Sequence, residues 1–274
     1  MSLPEHPAFI PHALTIAGSD SGGGAGIQAD LKTFSALGAY GLSVISALTA
    51  QNTRGVTGVH AVPPAFVAAQ LDAVFSDIRI DAAKCGMLAT ADIIHAVAAS
   101  VRQYRPKWLV LDTVMIAKGG HPLLAADAVA ALRDELLPLA SLITPNLPEA
   151  AALLGEPVVR DEDGMLAQAE RLLALGADAV LMKGGHLENT ADSPDWLVTR
   201  DGAERFPAVR VVTRNTHGTG CTLSAALTAL RPQRRNWAET VHDAKHWLTE
   251  ALTAADRLQV GHGIGPVHHF HAWW

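Results

Sequence analysis

The sequence predicts an α/β fold with a mainly parallel central sheet and helices on both faces. Three observations point there. Short apolar runs alternate with stretches of helical periodicity along the chain. The apolar runs are near-continuous, as strands buried on both faces require. Gly18, Gln51, Asp112, Asn146 and Lys183 each stand directly behind one of these runs. In open α/β sheets ligands bind beyond the carboxyl ends of the strands, so this shared address predicts one site.

Residues 13–17 form the first apolar run and end at Gly18. Residues 25–37 carry Ile27, Leu31 and Phe34 at helical spacing, and Gly38 suits the helix C-terminus. Residues 42–48 read as a second strand, 66–75 as helix and 78–85 as strand. Helix 93–101 and strand 108–111 follow, the strand closing on Asp112. Then come helix 125–137, a short strand at 142–144, and helices at 147–154 and 165–175. Strand 179–182 ends at Lys183, and a hairpin is expected from 196–199 to 204–212. Helices near 222–230 and 238–258 close the chain. No internal repeat interrupts this order. The polar loop 188–194 is too short to separate domains, so residues 1–274 are expected to form a single domain.

Composition narrows the function classes. Hydrophobic residues make up 49% and charged residues 18% of 274, which fits a globular enzyme and argues against disorder. The formal net charge is -6 with no basic stripe, which argues against nucleic acid as a partner. No uncharged apolar run reaches the roughly 18 residues of a membrane span. Pro4, Glu5, Pro7 and Pro11 replace the basic and apolar regions of a signal peptide. Two cysteines, Cys85 and Cys221, are too few for a disulfide framework and suit a reducing, cytoplasmic setting.

Four segments could carry chemistry. Residues 18–26, Gly-Ser-Asp-Ser-Gly-Gly-Gly-Ala-Gly, join a strand to a helix start, where glycines let backbone N–H groups approach a ligand. They lack the Gly-Lys-Ser/Thr of a P-loop, and no acid ends the next strand to hold a dinucleotide ribose. Residues 215–221, Asn-Thr-His-Gly-Thr-Gly-Cys, run into a helix and offer concave backbone donors to an anion. Such donors neutralise charge during phosphoryl transfer. Cys221 would stand at that helix start, where the dipole should lower its thiol pKa; otherwise it is a small buried hydrophobe. In Thr144-Pro145-Asn146-Leu147-Pro148-Glu149, Asn146 and Glu149 fit a capping box, and Glu149 equally fits a Mg²⁺ ligand. Lys183, followed by two glycines, could reach nucleotide phosphates or end in a solvated turn. Asp112 reads as a Mg²⁺ neighbour or a simple cap.

Asp30 shares the apolar face of its helix with Ile27 and Phe34, so it needs a partner, either a substrate amino group or nearby backbone. Gln51 has donors and an acceptor in one plane, matching an aminopyrimidine edge. The tail from His262 to Trp274 holds four histidines without a cysteine, and packing or surface is favoured over a metal site.

With these segments assembled, the sequence resembles the hydroxymethylpyrimidine/phosphomethylpyrimidine kinases, the thiamine-pathway branch of the ribokinase superfamily. The resemblance covers nearly the whole chain and is most specific at 17–32, 50–53, 144–149 and 216–221. It implies a ribokinase-like fold and two successive phosphorylations of an aminopyrimidine alcohol, with ATP and Mg²⁺. Gln51 would read the ring, with Gly18, Asp30, Met87 and Val114 lining the pocket. Gly218, Thr219 and Gly220 would form the anion hole beside a catalytic Cys221. Lys183, Asn146 and Thr219 would meet ATP, and Asp112 and Glu149 would help hold Mg²⁺. Sugar kinases of the superfamily usually place an aspartate base where Cys221 stands, which narrows the branch. A homodimer is the expected assembly. The alternatives are a pyridoxal kinase of the same branch and a non-catalytic pyrimidine-binding module.

Overall fold

The computed structural model describes residues 9–115, 124, 126–187 and 192–274. The prolines at 4 and 7, residue 125 at the head of a predicted helix, and the start of the polar loop at 188–191 lie outside them.

The chain opens with β1 (His12–Ala17), α1 (Gly26–Ala36) and β2 (Tyr40–Ile45). A hairpin of β3 (Ala47–Asn52) and β4 (Gly55–Ala61) follows, then α2 (Pro64–Asp77), β5 (Ala82–Cys85), α3 (Ala91–Tyr104) and β6 (Leu109–Leu111). Next come α4 (Ala126–Ala131), β7 (Leu142–Ile143), α5 (Leu147–Leu154), α6 (Glu162–Ala174) and β8 (Ala179–Lys183). The chain then forms β9 (Asp195–Thr199), β10 (Gly202–Phe206), α7 (Thr219–Leu230) and α8 (Trp237–Thr253).

The main sheet has eight strands in the order β10-β9-β8-β7-β6-β5-β1-β2. From β8 to β2 every pairing is parallel, and only β9 and β10 add an antiparallel edge. Neighbouring strand residues face opposite cores. Leu109 and Leu111 pack with Ile93, Val97 and Leu136, whereas Val110 packs with Leu227, Val241 and Leu248. Burial on both faces explains why the strands read as unbroken apolar runs. The fold class is the one expected from the sequence.

Four local expectations change. The run at 42–48 is split at Ser46, and its second half leaves the main sheet as β3, paired only with β4. The strand expected at 78–85 is shorter because α2 continues to Asp77 and only Ala82–Cys85 pair in the sheet. The segment after α4 widens into a π turn at Leu132–Leu136 and then tightens into a 3₁₀ turn at Leu137–Leu139, where Pro138 ends regular helix. The second hairpin strand ends at Phe206 rather than 212.

The C-terminal tail packs. Val267, His268 and His269 are buried, and His269 Nε2 lies 3.0 Å from Thr222 Oγ1 in the first turn of α7. Burial pulls the His269 pKa down to about 3, so it is a neutral packing group at ordinary pH.

Candidate active site

The loops behind β1, β6, β7 and β8 and the start of α7 enclose a cleft of about 760 Å³, within the range of small-ligand sites. Of the residues expected at the site, Gly18, Gln51, Met87, Asp112, Val114, Asn146, Glu149, Lys183, Gly218, Thr219, Gly220 and Cys221 all line it.

Asp30 does not. It is fully buried, with Oδ2 accepting from Thr15 Oγ1 at 2.6 Å and Oδ1 2.5 Å from Lys84 Nζ. Lys84, a lone lysine in β5, lines the cleft and also donates to the Cys221 carbonyl at 3.4 Å. Burial lowers the Lys84 pKa, but Asp30 beside it, with Cys221 and Asp112, more than offsets this and holds it above the ordinary value. The acid on the apolar helix face therefore answers a buried cation, not a substrate. Lys84 was overlooked in the sequence, although a lysine inside an apolar run demands such a partner.

Gln51 stands inside β3, on the separate hairpin, and not behind a strand of the main sheet. It reaches the cleft because that hairpin folds over the glycine loop: Ser21 Oγ accepts from Gln51 N at 2.9 Å. Within the loop, Asp20 is almost fully buried and accepts from the N–H groups of Gly22, Gly24 and Ala25. The glycines thus wrap a carboxylate of their own chain.

Helix α7 begins at Thr219, three residues earlier than expected, with Gly218 as N-cap at φ 76°. No side chain caps it, and Thr219 N donates to Thr216 O at 3.4 Å, so the amides of Gly220 and Cys221 are the ones left to face a ligand. Cys221 belongs to this turn, yet its thiol is not activated. Burial pushes its pKa up to about 11; Lys84 pulls it down, while Asp112 and Asp30 add to the rise. The dipole effect expected from the helix start loses to desolvation. Cys85, fully buried in β5, is pushed up to about 12. Iodoacetamide should therefore label Cys221 faster than Cys85, but more slowly at pH 8 than a free thiol. Its rate should still climb through pH 10, since the thiolate fraction grows up to the raised pKa. Labelling of each cysteine by mass spectrometry checks this, and a plateau near pH 8.5 would contradict it.

At the other side of the cleft, Lys183 Nζ lies 3.5 Å from Asp112 Oδ1 and 3.8 Å from Glu149 Oε2. Both capping-box bonds of Asn146 and Glu149 are present at 2.9 Å, so the cap is real and Asn146 Oδ1 is engaged in it. Thr113 Oγ1 also donates to Glu149 Oε2, and Ser224 Oγ to Asp112 Oδ2, each at 3.0 Å. Burial raises the Glu149 pKa; Lys183 opposes this and Asp112 reinforces it. Two carboxylates around one lysine leave this three-residue cluster with one formal negative charge. A β-carbon on Gly220 would sit 3.7 Å from Lys183 Nζ, so this cluster adjoins the α7 amides.

A family model described as phosphomethylpyrimidine kinase matches residues 20–268. The chain belongs to the phosphomethylpyrimidine kinase family. It is 67% identical over 263 residues to the hydroxymethylpyrimidine/phosphomethylpyrimidine kinase of Escherichia coli (strain K12), covering 96% of this chain and 98% of that one. The fold matches an ADP complex of Bacillus subtilis pyridoxal kinase with a TM-score of 0.88 at 37% identity, over 96% of this chain and 99% of that one. It also matches a phosphomethylpyrimidine kinase from Clostridium difficile with a TM-score of 0.79 at 44% identity, over 89% and 100%. The fold is accordingly ribokinase-like, and the chain is a phosphotransferase of this family.

Proposed function

We propose that the protein phosphorylates 4-amino-5-hydroxymethyl-2-methylpyrimidine with ATP, first to the monophosphate and then to the diphosphate, in thiamine biosynthesis. The observation that carries this reading is the cleft itself. A planar amide, Gln51, and an anion-binding helix start, residues 218–221, line one cavity, as a ring next to a phosphoryl acceptor requires.

The α7 amides and Lys183 hold the transferred phosphoryl group and its developing charge. Cys221 lines the same end, where it shapes the space for the hydroxymethyl oxygen. With a pKa near 11 the thiol is not a standing base, and a loose transition state asks little of one. Asp112 and Glu149 are the groups that would hold Mg²⁺, through one or two carboxylates and water. They fit a divalent cation because their negative charge exceeds what Lys183 supplies. When bound, the ion would neutralise charge on the nucleotide phosphates.

We assign all 274 residues to one kinase domain in the cytoplasm. We also place a homodimer contact on the β3–β4 hairpin, which exposes Leu48 and Val59 at its surface. Among the described residues no helix is long and apolar enough to cross a membrane.

The deciding experiment offers ATP with the pyrimidine alcohol, its monophosphate, or pyridoxal, and resolves products by phosphorus NMR. Successive monophosphate and diphosphate signals are expected. The pyridoxal kinase reading, favoured only by the structural match above, would show as preferential pyridoxal phosphate formation. ATP hydrolysis independent of any acceptor would sink both.

A further inference from the structure

His217 stands where four segments of the chain meet. Its Nε2 lies 2.8 Å from Asp20 Oδ2 in the glycine loop and 3.3 Å from Gln51 Nε2 on β3. Its backbone N–H donates to Gly265 O at 2.9 Å, and it bridges to Pro266 in the C-terminal tail. The same tail holds the β3–β4 turn, because Ile264 N donates to Thr53 O and Gly263 N to Thr53 Oγ1. A β-carbon on Gly24 would press on the His217 ring, so the imidazole is confined on that side too.

Proton counting decides what His217 does there. Asp20 already accepts three backbone N–H bonds, and its pKa lies below the ordinary value; burial would raise it, but His217 and the loop amides lower it further. The carboxylate is an acceptor only, so His217 Nε2 carries a proton and donates. A donor amide on Gln51 cannot face that N–H. On the amide's other side, Thr49 Oγ1 lies 3.2 Å from Gln51 Oε1, but its single proton already goes to Ser19 O at 2.9 Å. Turning the Gln51 amide end for end removes both conflicts at once. Oε1 then takes a share of the His217 proton, whose nearer acceptor is Asp20, and Nε2 donates to the Thr49 hydroxyl, which passes its own proton to Ser19 O.

We propose that His217, anchored by Asp20, is a positioning residue that sets the Gln51 amide and thereby the enzyme's preference for an aminopyrimidine edge. So set, Gln51 keeps one N–H and one oxygen lone pair for the cleft. That pair complements a ring nitrogen next to an exocyclic amine, and the reverse amide orientation would exchange the two and mismatch them. The inference rests on the pyrimidine-kinase reading above.

The test is a kinetic cycle of His217→Ala, Gln51→Ala and the double variant, with His217→Gln as the donor-retaining replacement. Losing one neutral hydrogen bond to the ring corresponds to a KM for the pyrimidine alcohol raised on the order of 10-fold. His217→Ala should show that rise with little change in KM for ATP, and should narrow the preference for the pyrimidine alcohol over pyridoxal. The double variant should be no worse than Gln51→Ala, since both act through one contact. His217→Gln, which can still offer an N–H to Asp20, should recover most of the affinity even if the alanine variant folds poorly. Additive losses in the cycle, an equal loss for ATP, or a glutamine variant as poor as alanine would overturn the role of His217. Wild-type protein that does not turn over the pyrimidine alcohol would instead overturn the function proposed above.

Discussion

Gly218→Ala should lower kcat by about 10²–10³-fold, the loss expected when a preorganised anion hole is disturbed. Gly218 has φ 76°, a left-handed conformation that costs an ordinary residue about 1–2 kcal/mol. The added β-carbon would also collide with the backbone carbonyl of Gly24 and lie 3.2 Å from Ala25 Cα. Backbone cannot swing aside as a long side chain can, so the glycine loop and the start of α7 must separate. That separation moves the amides of residues 220 and 221, to which the proposed function gives the phosphoryl group. The comparison is Gly38→Ala, at φ 75° with nothing within 4 Å of the new atom. It carries the same backbone strain, remote from the cleft, and should lose stability without a matching loss of kcat. Steady-state kinetics and thermal melts of both variants separate strain from site damage. A Gly218→Ala enzyme within a few-fold of wild-type kcat would show that the loops tolerate separation.

The pattern of what could be read in advance follows from range. The main sheet was legible because burial on both faces writes itself as apolar runs at 13–17, 108–111 and 179–182, each enough by itself. The β3–β4 hairpin was not, because most of β4 is exposed and one serine, Ser46, is the sole mark of the split, no stronger than Ser43 inside β2. The capping box of Asn146 and Glu149 was legible because it is local, three residues apart. The Cys221 pKa was misjudged for the opposite reason. The dipole of its own helix is a local effect, whereas the burial that dominates is tertiary, with α7 packed against β5 and β6. His217 stood inside a recognised motif, but its partners Asp20, Gln51 and Pro266 lie far away in sequence.

The Asp30–Lys84 pair shows how such a distant partner changes a prediction. From the sequence, Asp30→Ala would be expected to weaken pyrimidine binding. In the structure it leaves Lys84, with no exposed side-chain surface, as an uncompensated charge between β5 and α7. Breaking a buried pair from one side costs about 3–5 kcal/mol, which for a chain of this size lowers Tm on the order of 10 °C. The expected result is therefore a large loss of stability, with any activity change following from unfolded or loosened protein. Removing both charges, as Asp30→Leu with Lys84→Met, should recover much of the loss, because two apolar side chains of similar volume need no desolvation offset. Recovery should stay incomplete, since Thr15 Oγ1 and the Cys221 carbonyl each lose a partner. Thermal melts of the single and double variants, with the pyrimidine KM measured below the transition, decide the matter. If Asp30→Ala keeps the wild-type Tm while its pyrimidine KM rises, the aspartate serves substrate rather than Lys84. If the double variant is less stable than the single one, the pair itself, and not the orphaned lysine, holds α1 against β5.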